Sequence, residues 1–503
     1  MSFPIFASTY SIASGPPPRQ APALNADRGY PHPLIERYAS DEMASVFSPG
    51  AQALAWRDLW IALAEEERAL GVPIPRGAIA AMRAARDTVD LDRVAVIERE
   101  LRHDVMAHVH HFGEVAPEAR KFIHMGATSA FVGDNHGLLQ HQTALRILRR
   151  RLLVGASALA EFAERHAALP TLGYTHLQPA QPTTVGKRAC LWLQDLLFDL
   201  DELDHLTAGL RLRGARGTTG TEATFLALFD GDGEKVDLLN QRLAERFGFS
   251  GVYPVVGQTY PRKVDHRVLA LLAGIGASTA RFGHDIRLLQ AFGEIEEPFG
   301  QRQIGSSAMP YKRNPMRSER ICALSRHLCT LEINASWTAS VQWFERTLDD
   351  SANRRISIPE AHMAAEAILI LAANVASGLV VHPAVIARRL GQQLPFMATE
   401  EILLAGVRLG GDRQDLHERI RVHALAARSR LDEGAADSDF FARIAGDAAF
   451  GLSEDDLAEL ADSKKLSGRS AAQVARFLET EVRPRLADFD QASTDGNSTE
   501  VRV

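Results

Sequence analysis

Apolar side chains recur along this chain at gaps of three and four. Leu145, Leu148, Leu152, Ala156, Leu159 and Ala163 form one stripe, and Leu193, Leu196, Leu200, Leu203, Leu206 and Leu210 a second. Val268, Leu272, Ile275, Thr279, Phe282, Ile286 and Leu289 form a third. On a backbone that turns once per ~3.6 residues, this spacing gathers each set on one face of a helix. The third set alternates gaps of four and three, the ~3.5-residue period that keeps two helices in contact as they supercoil. No series of alternating strand patterns suffices for a parallel sheet, and no repeat of solenoid length is present. The expected fold class is all-α. Helices this long bury little inside a compact monomer, so a bundle extended by further copies of the chain is expected, a homo-oligomer with closed symmetry.

The chain is 503 residues long, and at ~150 residues per domain that predicts about three domains. Pro16, Pro17, Pro18 and Pro22, with Pro31 and Pro33 just after, deny residues 1 to about 30 the amide hydrogens of a helix and predict an extended lead-in. Residues 491–503 are Ser, Thr, Asp, Gly and Asn with few core formers, and are expected to fray. Lys and Arg total 56 against 63 Asp and Glu, so a general polyanion surface is not expected, and with it no nucleic-acid partner. The most lipid-like stretch, Ala367 to Val381, is broken by Asn374, Ser377 and Gly378 and reads as a buried helix rather than a span. The first residues lack a basic segment followed by an apolar core, so no secretory signal is expected. Cys190, Cys322 and Cys329 are odd in number and lack metal-ligand spacing, which predicts reduced thiols, no disulfide framework and a cytoplasmic setting.

Candidate chemistry concentrates in five polar segments. Gly305 to Pro315 reads Gly-Ser-Ser-Ala-Met-Pro-Tyr-Lys-Arg-Asn-Pro, which precludes a continuous helix and predicts a loop between helices. Lys312, Arg313, Arg317 and Arg320 give that region a local positive field able to acidify a hydroxyl or hold a carboxylate, although a solvated basic turn reads equally well. Tyr174 to Thr184 is a second proline-punctuated loop, in which only His176 titrates near neutrality. His103, His108, His110 and His111 invite a metal reading, but the i, i+4 pair of a zinc helix is absent, and an Arg-His-Asp run meeting an anion fits better. A plain solvated helix face fits that segment as well. Gly214 to Gly220 follows a helical stripe rather than a strand and lacks a Gly-Lys-Ser/Thr ending, so a flexible turn is expected there instead of a phosphate loop. The run from Arg346 to Arg355 is either a surface salt-bridge cluster or part of a site.

The 305–315 loop carries the signature of the fumarase/aspartase superfamily, whose members eliminate fumarate from substituted succinates. Its Ala-Met-Pro-Tyr-Lys-Arg-Asn-Pro form, followed by Met316-Arg317-Ser318-Glu319-Arg320, resembles the adenylosuccinate lyase family, in particular its vertebrate-type branch. The resemblance runs from about Arg37 to Arg485 and includes Arg102 to Val109, Gly126 to Ser129, Gly257 to Tyr260 and the 346–355 run. Departures are the proline-rich start, Pro182, Pro261 and the polar tail, none of which removes a residue the chemistry requires.

The resemblance implies three helical domains, placed at 31–128, 129–382 and 383–490, and a homotetramer around twenty long helices, five per chain. It implies fumarate release from adenylosuccinate and from the succinyl-carboxamide imidazole ribotide in purine synthesis, with no cofactor and no metal. Ser306 takes the place of the base and His176 that of the general acid, paired with Glu319. Lys312 and Asn314 match the groups that hold the carboxylate as the carbanion forms. Substrate contacts carry over to Arg37, Tyr38, Arg102, His103, Asp104, Thr128, Ser129, Thr175, Gln258, Arg320, Arg346, Ser351 and Arg355. Arginine forks suit a phosphate and two carboxylates. In the family the Thr128, His176 and Ser306 regions of one site come from different subunits. Competing readings are a sister elimination such as that of argininosuccinate lyase or fumarase, a non-catalytic helical scaffold, and a metal-dependent hydrolase built on the 103–111 histidines. Retention of Ser306, His176 and Lys312 speaks against the scaffold.

Overall fold

In the computed structural model, which describes residues 32–487 and 489, each apolar stripe is buried along a long helix, with Leu210 just past the end of the second. The chain opens with α1 (Asp41–Val46) and α2 (Pro49–Ala69), each started by a serine whose hydroxyl accepts a backbone N–H of the first turn. Next come α3 (Arg76–Ala84), α4 (Leu91–Leu101) and α5 (Asp104–Val115). The 37-residue α6 (Ser129–Arg165) is followed by a hairpin, β1 (Pro170–Thr175) and β2 (Gln178–Thr184), and then by α7 (Val185–Ala208). Two shorter helices, α8 (Ala223–Leu228) and α9 (Gly233–Arg246), lead to α10 (Lys263–Ala291) and the short strand β3 (Ile295–Glu296). After these lie α11 (Met316–Ser340), α12 (Asp350–Gly378) and β4 (Val380–Val381), which pairs antiparallel with β3. Then α13 (Pro383–Met397), α14 (Thr399–Arg408) and α15 (Arg413–Asp432) precede short helices that run to Leu486.

Five long helices make the central bundle. Contacts pass from α6 to α7, α7 to α10, α10 to α11, α11 to α12 and α12 back to α6, so the apolar faces close on one another. Helix α12 is long and apolar enough to cross a membrane, yet 83% of its apolar window is buried here, because α6, α10 and α11 cover it. An ion pair pins the N-terminal segment to this bundle: Glu366 on α12 lies 3.0 Å from Arg151 on α6 and accepts both the backbone N–H and the hydroxyl of Ser40. A second hydrophobic core, separate from the first, gathers Ile402, Leu416, Phe440, Phe450 and Leu457.

The structure is mostly helical, as expected, but two segments differ from their sequence reading. Tyr174 to Thr184 is not an irregular loop. It forms most of the hairpin, whose paired strands accept Pro179 and Pro182 because a two-stranded ribbon leaves an outer edge with no partner for a proline nitrogen. At the register shift between Leu172 and Tyr174 the carbonyl of Gln181 lies 2.3 Å from where a Cβ on Gly173 would stand, so only glycine fits. The 214–220 turn is not flexible: buried Arg213 donates to the carbonyls of Gly214, Gly217 and Gln258, and Asn135 and Asn240 accept the backbone N–H groups of Gly214 and Ala215.

Glu67, on α2, is fully buried with neither carboxylate oxygen hydrogen-bonded, and burial pushes its pKa up to about 8. The folded state therefore keeps a proton that the unfolded chain releases near its ordinary value of 4.5. The stability tied to this group is fully present below that value and is lost as pH rises toward about 8. Glu67→Gln is expected to be more stable than the parent by an amount that grows between pH 5 and 8, by about 1 kcal/mol per pH unit, read from paired denaturant titrations. A pH-independent difference would show that Glu67 does not titrate in this window.

Candidate active site

The junction of α4 and α5 is the first piece of the site. Arg102 ends α4 in the left-handed region, with φ 55°, and turns the chain so that His103 and Asp104 begin a new helix. His103 therefore sits at the N-cap of α5 with Nδ1 facing the N–H of Met106 at 3.4 Å, and not on a continuous helical face with His110. Asp104 accepts its own helix's Val105 N–H at 2.7 Å through one oxygen and Arg355 Nη2 at 2.7 Å through the other. Two of the remaining histidines serve the fold: His108 packs edge-on to Trp56, and buried His111 accepts the N–H of Asp90, while His110 is exposed.

This junction forms one wall of a cleft of about 900 Å³. Eight of the residues singled out by resemblance line it: Arg102, His103, Asp104, Ser129, Gln258, Arg346, Ser351 and Arg355. Thr128 lies next to them as the N-cap of α6. The 346–355 run is thus part of a concave site and not a surface salt-bridge cluster.

Beneath the cleft lies a buried charge network. Arg262 donates to both oxygens of Asp134 at 3.0 and 3.1 Å and to Asp350 at 2.6 Å, while Asp350 also grips Arg346 at 2.9 and 3.0 Å. Alongside, Asp265 accepts Arg354 Nε at 2.7 Å and the Tyr260 hydroxyl at 2.5 Å, with His141 Nε2 at 3.0 Å. Burial works against the Asp265 charge, but Arg354 and His141 outweigh it and hold the carboxyl well below its usual range. His362, behind His141, is pushed down to about 3 by burial and then by the His141 charge. Arg346 therefore meets the cleft with its guanidinium already held from behind.

The other predicted residues lie elsewhere. Ser306 is half-buried, its hydroxyl accepting the N–H of Met309 at 3.2 Å, and Asn314 Nδ2 donates to the Gly305 carbonyl at 2.6 Å. Lys312 is exposed on the same loop. The loop is rooted by Gln290 Nε2 on the Arg313 carbonyl at 2.9 Å, and by Glu297, which accepts the N–H groups of Arg317 and Ser318 at the start of α11, each at 2.9 Å. A carboxylate there also suits the positive end of the helix. Glu319 is exposed and makes no hydrogen bond to His176 within the chain, and Arg320 stands 5.5 Å from the Tyr38 ring, with Arg37 exposed beside it. His176 and Leu177 form the exposed tip of the hairpin with φ 52° and 58°. Thr175 pairs with Gln178 across this turn. Two consecutive left-handed residues are what the tightest hairpin turns demand, and Asn-Gly is the usual solution. A histidine and a leucine there store backbone strain.

One chain does not bring all of these together. Gln258 and Arg262 precede α10, whereas the hairpin and the signature loop lie past its far end, where Tyr174 packs against Phe292 and Arg313 against Gln290. The 29 residues of α10 span about 43 Å.

Residues 49–329 match the sequence family described as Lyase, and residues 395–477 the one described as Adenylosuccinate lyase C-terminus. The chain is 47% identical to the adenylosuccinate lyase of Saccharomyces cerevisiae over 93% of its length and 97% of the relative's. The chain belongs to the adenylosuccinate lyase family. To the adenylosuccinate lyase of Schistosoma mansoni it is 45% identical, over 92% of this chain and 96% of that one. The family is one of lyases, and the helical architecture recurs beyond it. A 3-carboxy-cis,cis-muconate lactonizing enzyme from Pseudomonas putida superposes with a TM-score of 0.78 at 25% identity, covering 89% of this chain and 98% of that one.

Residues of the cleft floor went unassigned in the sequence reading. The signal was present: Asp134 and His141 extend the Leu145 stripe at gaps of four, three and four through Leu138, and Asp265 extends the Val268 stripe by a gap of three. A charge on an apolar stripe of an adenylosuccinate lyase must be paired inside the core. Arg262→Met is accordingly expected to leave Asp134 and Asp350 buried without their shared cation and to cost about 3–5 kcal/mol in chemical denaturation. A loss below about 1 kcal/mol would show that the two carboxylates find other partners or solvent.

Proposed function

We propose that this chain catalyses β-elimination of fumarate from adenylosuccinate, giving AMP, and from the succinyl-carboxamide imidazole ribotide, giving its carboxamide. The observation that carries the reading is the 45–47% identity to adenylosuccinate lyases over more than nine tenths of the chain, and the sequence keeps Ser306, His176 and Lys312. In this reading the Ser306 alkoxide, favoured by the positive field of its loop, takes a proton from the succinyl carbon next to a carboxylate and becomes the hydroxyl. The electron pair left behind delocalises into that carboxylate, and Lys312 and Asn314 hold the charge as it builds. The C–N bond then breaks, and His176, supported by Glu319, protonates the departing nitrogen. Acid, base and fixed charges suffice, and no cofactor enters. Arg346, Arg355, Arg320 and Arg37 are suited to the phosphate and carboxylates as forked donors, with Tyr38, Arg102, His103, Asp104, Thr128, Ser129, Thr175, Gln258 and Ser351 completing the contacts.

The site is read as shared between chains of a homotetramer. Supporting this, the cleft and the two loops stand at opposite ends of α10, and large apolar side chains on bundle helices lie open to solvent, among them Phe198 on α7 and Trp337 on α11. An antiparallel second copy would carry a hairpin or a loop to the cleft.

The purified protein is expected to convert adenylosuccinate with loss of absorbance and release of fumarate; no fumarate would exclude the reading. Ser306→Ala and His176→Ala are each expected to lower kcat by about 10²–10⁴-fold with the fold intact. Either variant turning over within about tenfold of the parent would remove that residue from its role. The two inactive variants, unfolded and reassembled together in equal amounts, should regain activity at about a quarter of the sites, since each site needs one intact residue from each parent. No recovery after demonstrated subunit exchange would mean that both residues come from one chain.

A further inference from the structure

The strand that carries His176 and the root of the signature loop meet at one buried carboxylate. Glu294, between α10 and β3, is fully buried, and its Oε1 accepts Arg389 Nε at 2.7 Å. Arg389 belongs to α13, outside the cleft, and through Nη2 it reaches the Tyr174 hydroxyl at 3.1 Å. Tyr174 lies near the end of β1, two residues before His176, the first residue of the turn. The Phe292 ring seals the contact, 4.6 Å from the Arg389 guanidinium and 5.6 Å from the Tyr174 ring.

On the loop side, the residues just after Glu294 hold the signature segment. Glu296 pairs with Arg313 at 3.3 Å, and Glu297 accepts the first N–H groups of α11. On the hairpin side, Arg188 of α7 donates to the Leu172 carbonyl of β1. Glu294 Oε2 and Arg188 Nη1 are both buried and both lack a hydrogen-bond partner, so the carboxylate has a guanidinium on α13 in contact and another on α7 within electrostatic reach.

An ion pair with one buried and one half-buried partner is a poor source of stability, because desolvation of the carboxylate consumes much of the Coulomb gain. What the pair supplies is fixed geometry. Guanidinium and carboxylate planes meet at defined angles; here Arg389 is bonded to Tyr174 of the hairpin, and Glu294 stands two and three residues before Glu296 and Glu297, which hold the signature segment.

We propose that Glu294 and Arg389 are positioning residues, which lock the hairpin bearing His176 and the loop bearing Ser306 into one rigid unit with α13. The inference rests on the proposed acid and base roles. In the shared-site reading the hairpin and loop of one chain serve different sites, so the pair sets the geometry of two sites at once.

The test uses the full chain with Arg389→Met, Arg389→Lys and Tyr174→Phe, each compared with the parent for oligomeric state, amide hydrogen exchange, kcat, KM and the pH profile of kcat. Arg389→Met is expected to speed exchange about tenfold in both 170–184 and 297–318. It should lower kcat by about 10–100-fold while leaving KM within about threefold, since a displacement of about 1 Å costs rate before binding. Arg389→Lys keeps the charge without the fork and should recover part of kcat. Tyr174→Phe cuts only the hairpin end of the link and should loosen 170–184 alone. If Arg389→Met does not fold, the other two variants carry the test through the same exchange and kcat readings. Exchange unchanged, or raised in only one segment by Arg389→Met, would overturn the proposal. So would faster exchange with kcat and KM within about twofold of the parent. Should the parent itself fail on adenylosuccinate, the reaction falls, and the exchange measurement alone decides whether the two segments are linked.

Discussion

A helix rises about 1.5 Å per residue and cannot shorten, and the 29 residues of α10 therefore hold its two ends about 43 Å apart. Helices α7, α11 and α12 pack along it. Everything chemical in this protein is attached to one end or the other. At one end stand the α4–α5 junction, the start of α6 and the start of α12, which together make the cleft. At the other stand the hairpin and the signature loop. The bundle acts as a rigid spacer, and the shared-site reading follows from that spacing as much as from family likeness.

The two ends are held by different physics. The cleft floor is charge paired inside the core, where Arg262, Asp350, Arg354 and Asp265 each have partners on more than one segment and Asp134 is held by Arg262 and the Tyr260 N–H. Such a network gains little net stability, since desolvation offsets attraction, but each partner removes rotational freedom from Arg346 and from the turn that presents Gln258. The signature loop instead hangs on a few hydrogen bonds to backbone groups, with Lys312 and Tyr311 in solvent.

The hairpin lies between these extremes. His176 and Leu177 both occupy left-handed backbone, at a cost of about 1–3 kcal/mol each. The surrounding contacts must over-determine the turn for it to persist. Leu172 and Tyr174 pack against Leu390, Leu394 and Met397, while Arg188 and Arg389 hold β1 from two sides. The strain is stored at the tip, beside the one titratable side chain that the turn presents.

The sequence by itself determined the helices and marked the polar segments between them. Periodicity is a local property, so the stripes at 145–163, 193–210 and 268–289 could be read without knowing what they face, and each lies buried in the bundle. The signature loop was legible because a glycine, two prolines and small hydroxyls crowd into eleven residues there, whereas the single prolines inside α12 and α13 are tolerated. The hairpin at His176 was not, since two prolines argue against a strand until a neighbour shows which edge stays free. The 214–220 turn looked flexible because its restraints come from Asn135, Arg213, Asn240 and the carbonyl of Gln258, most of them far away in sequence. The network under the cleft and the Glu294–Arg389–Tyr174 link join residues up to 215 positions apart, and a buried charge declares its partner only when the chain has folded back on itself. Residue type and spacing carry local conformation and reactivity, whereas which charges meet, and which end of a rigid bundle they meet at, is decided only by the packing of segments distant in sequence.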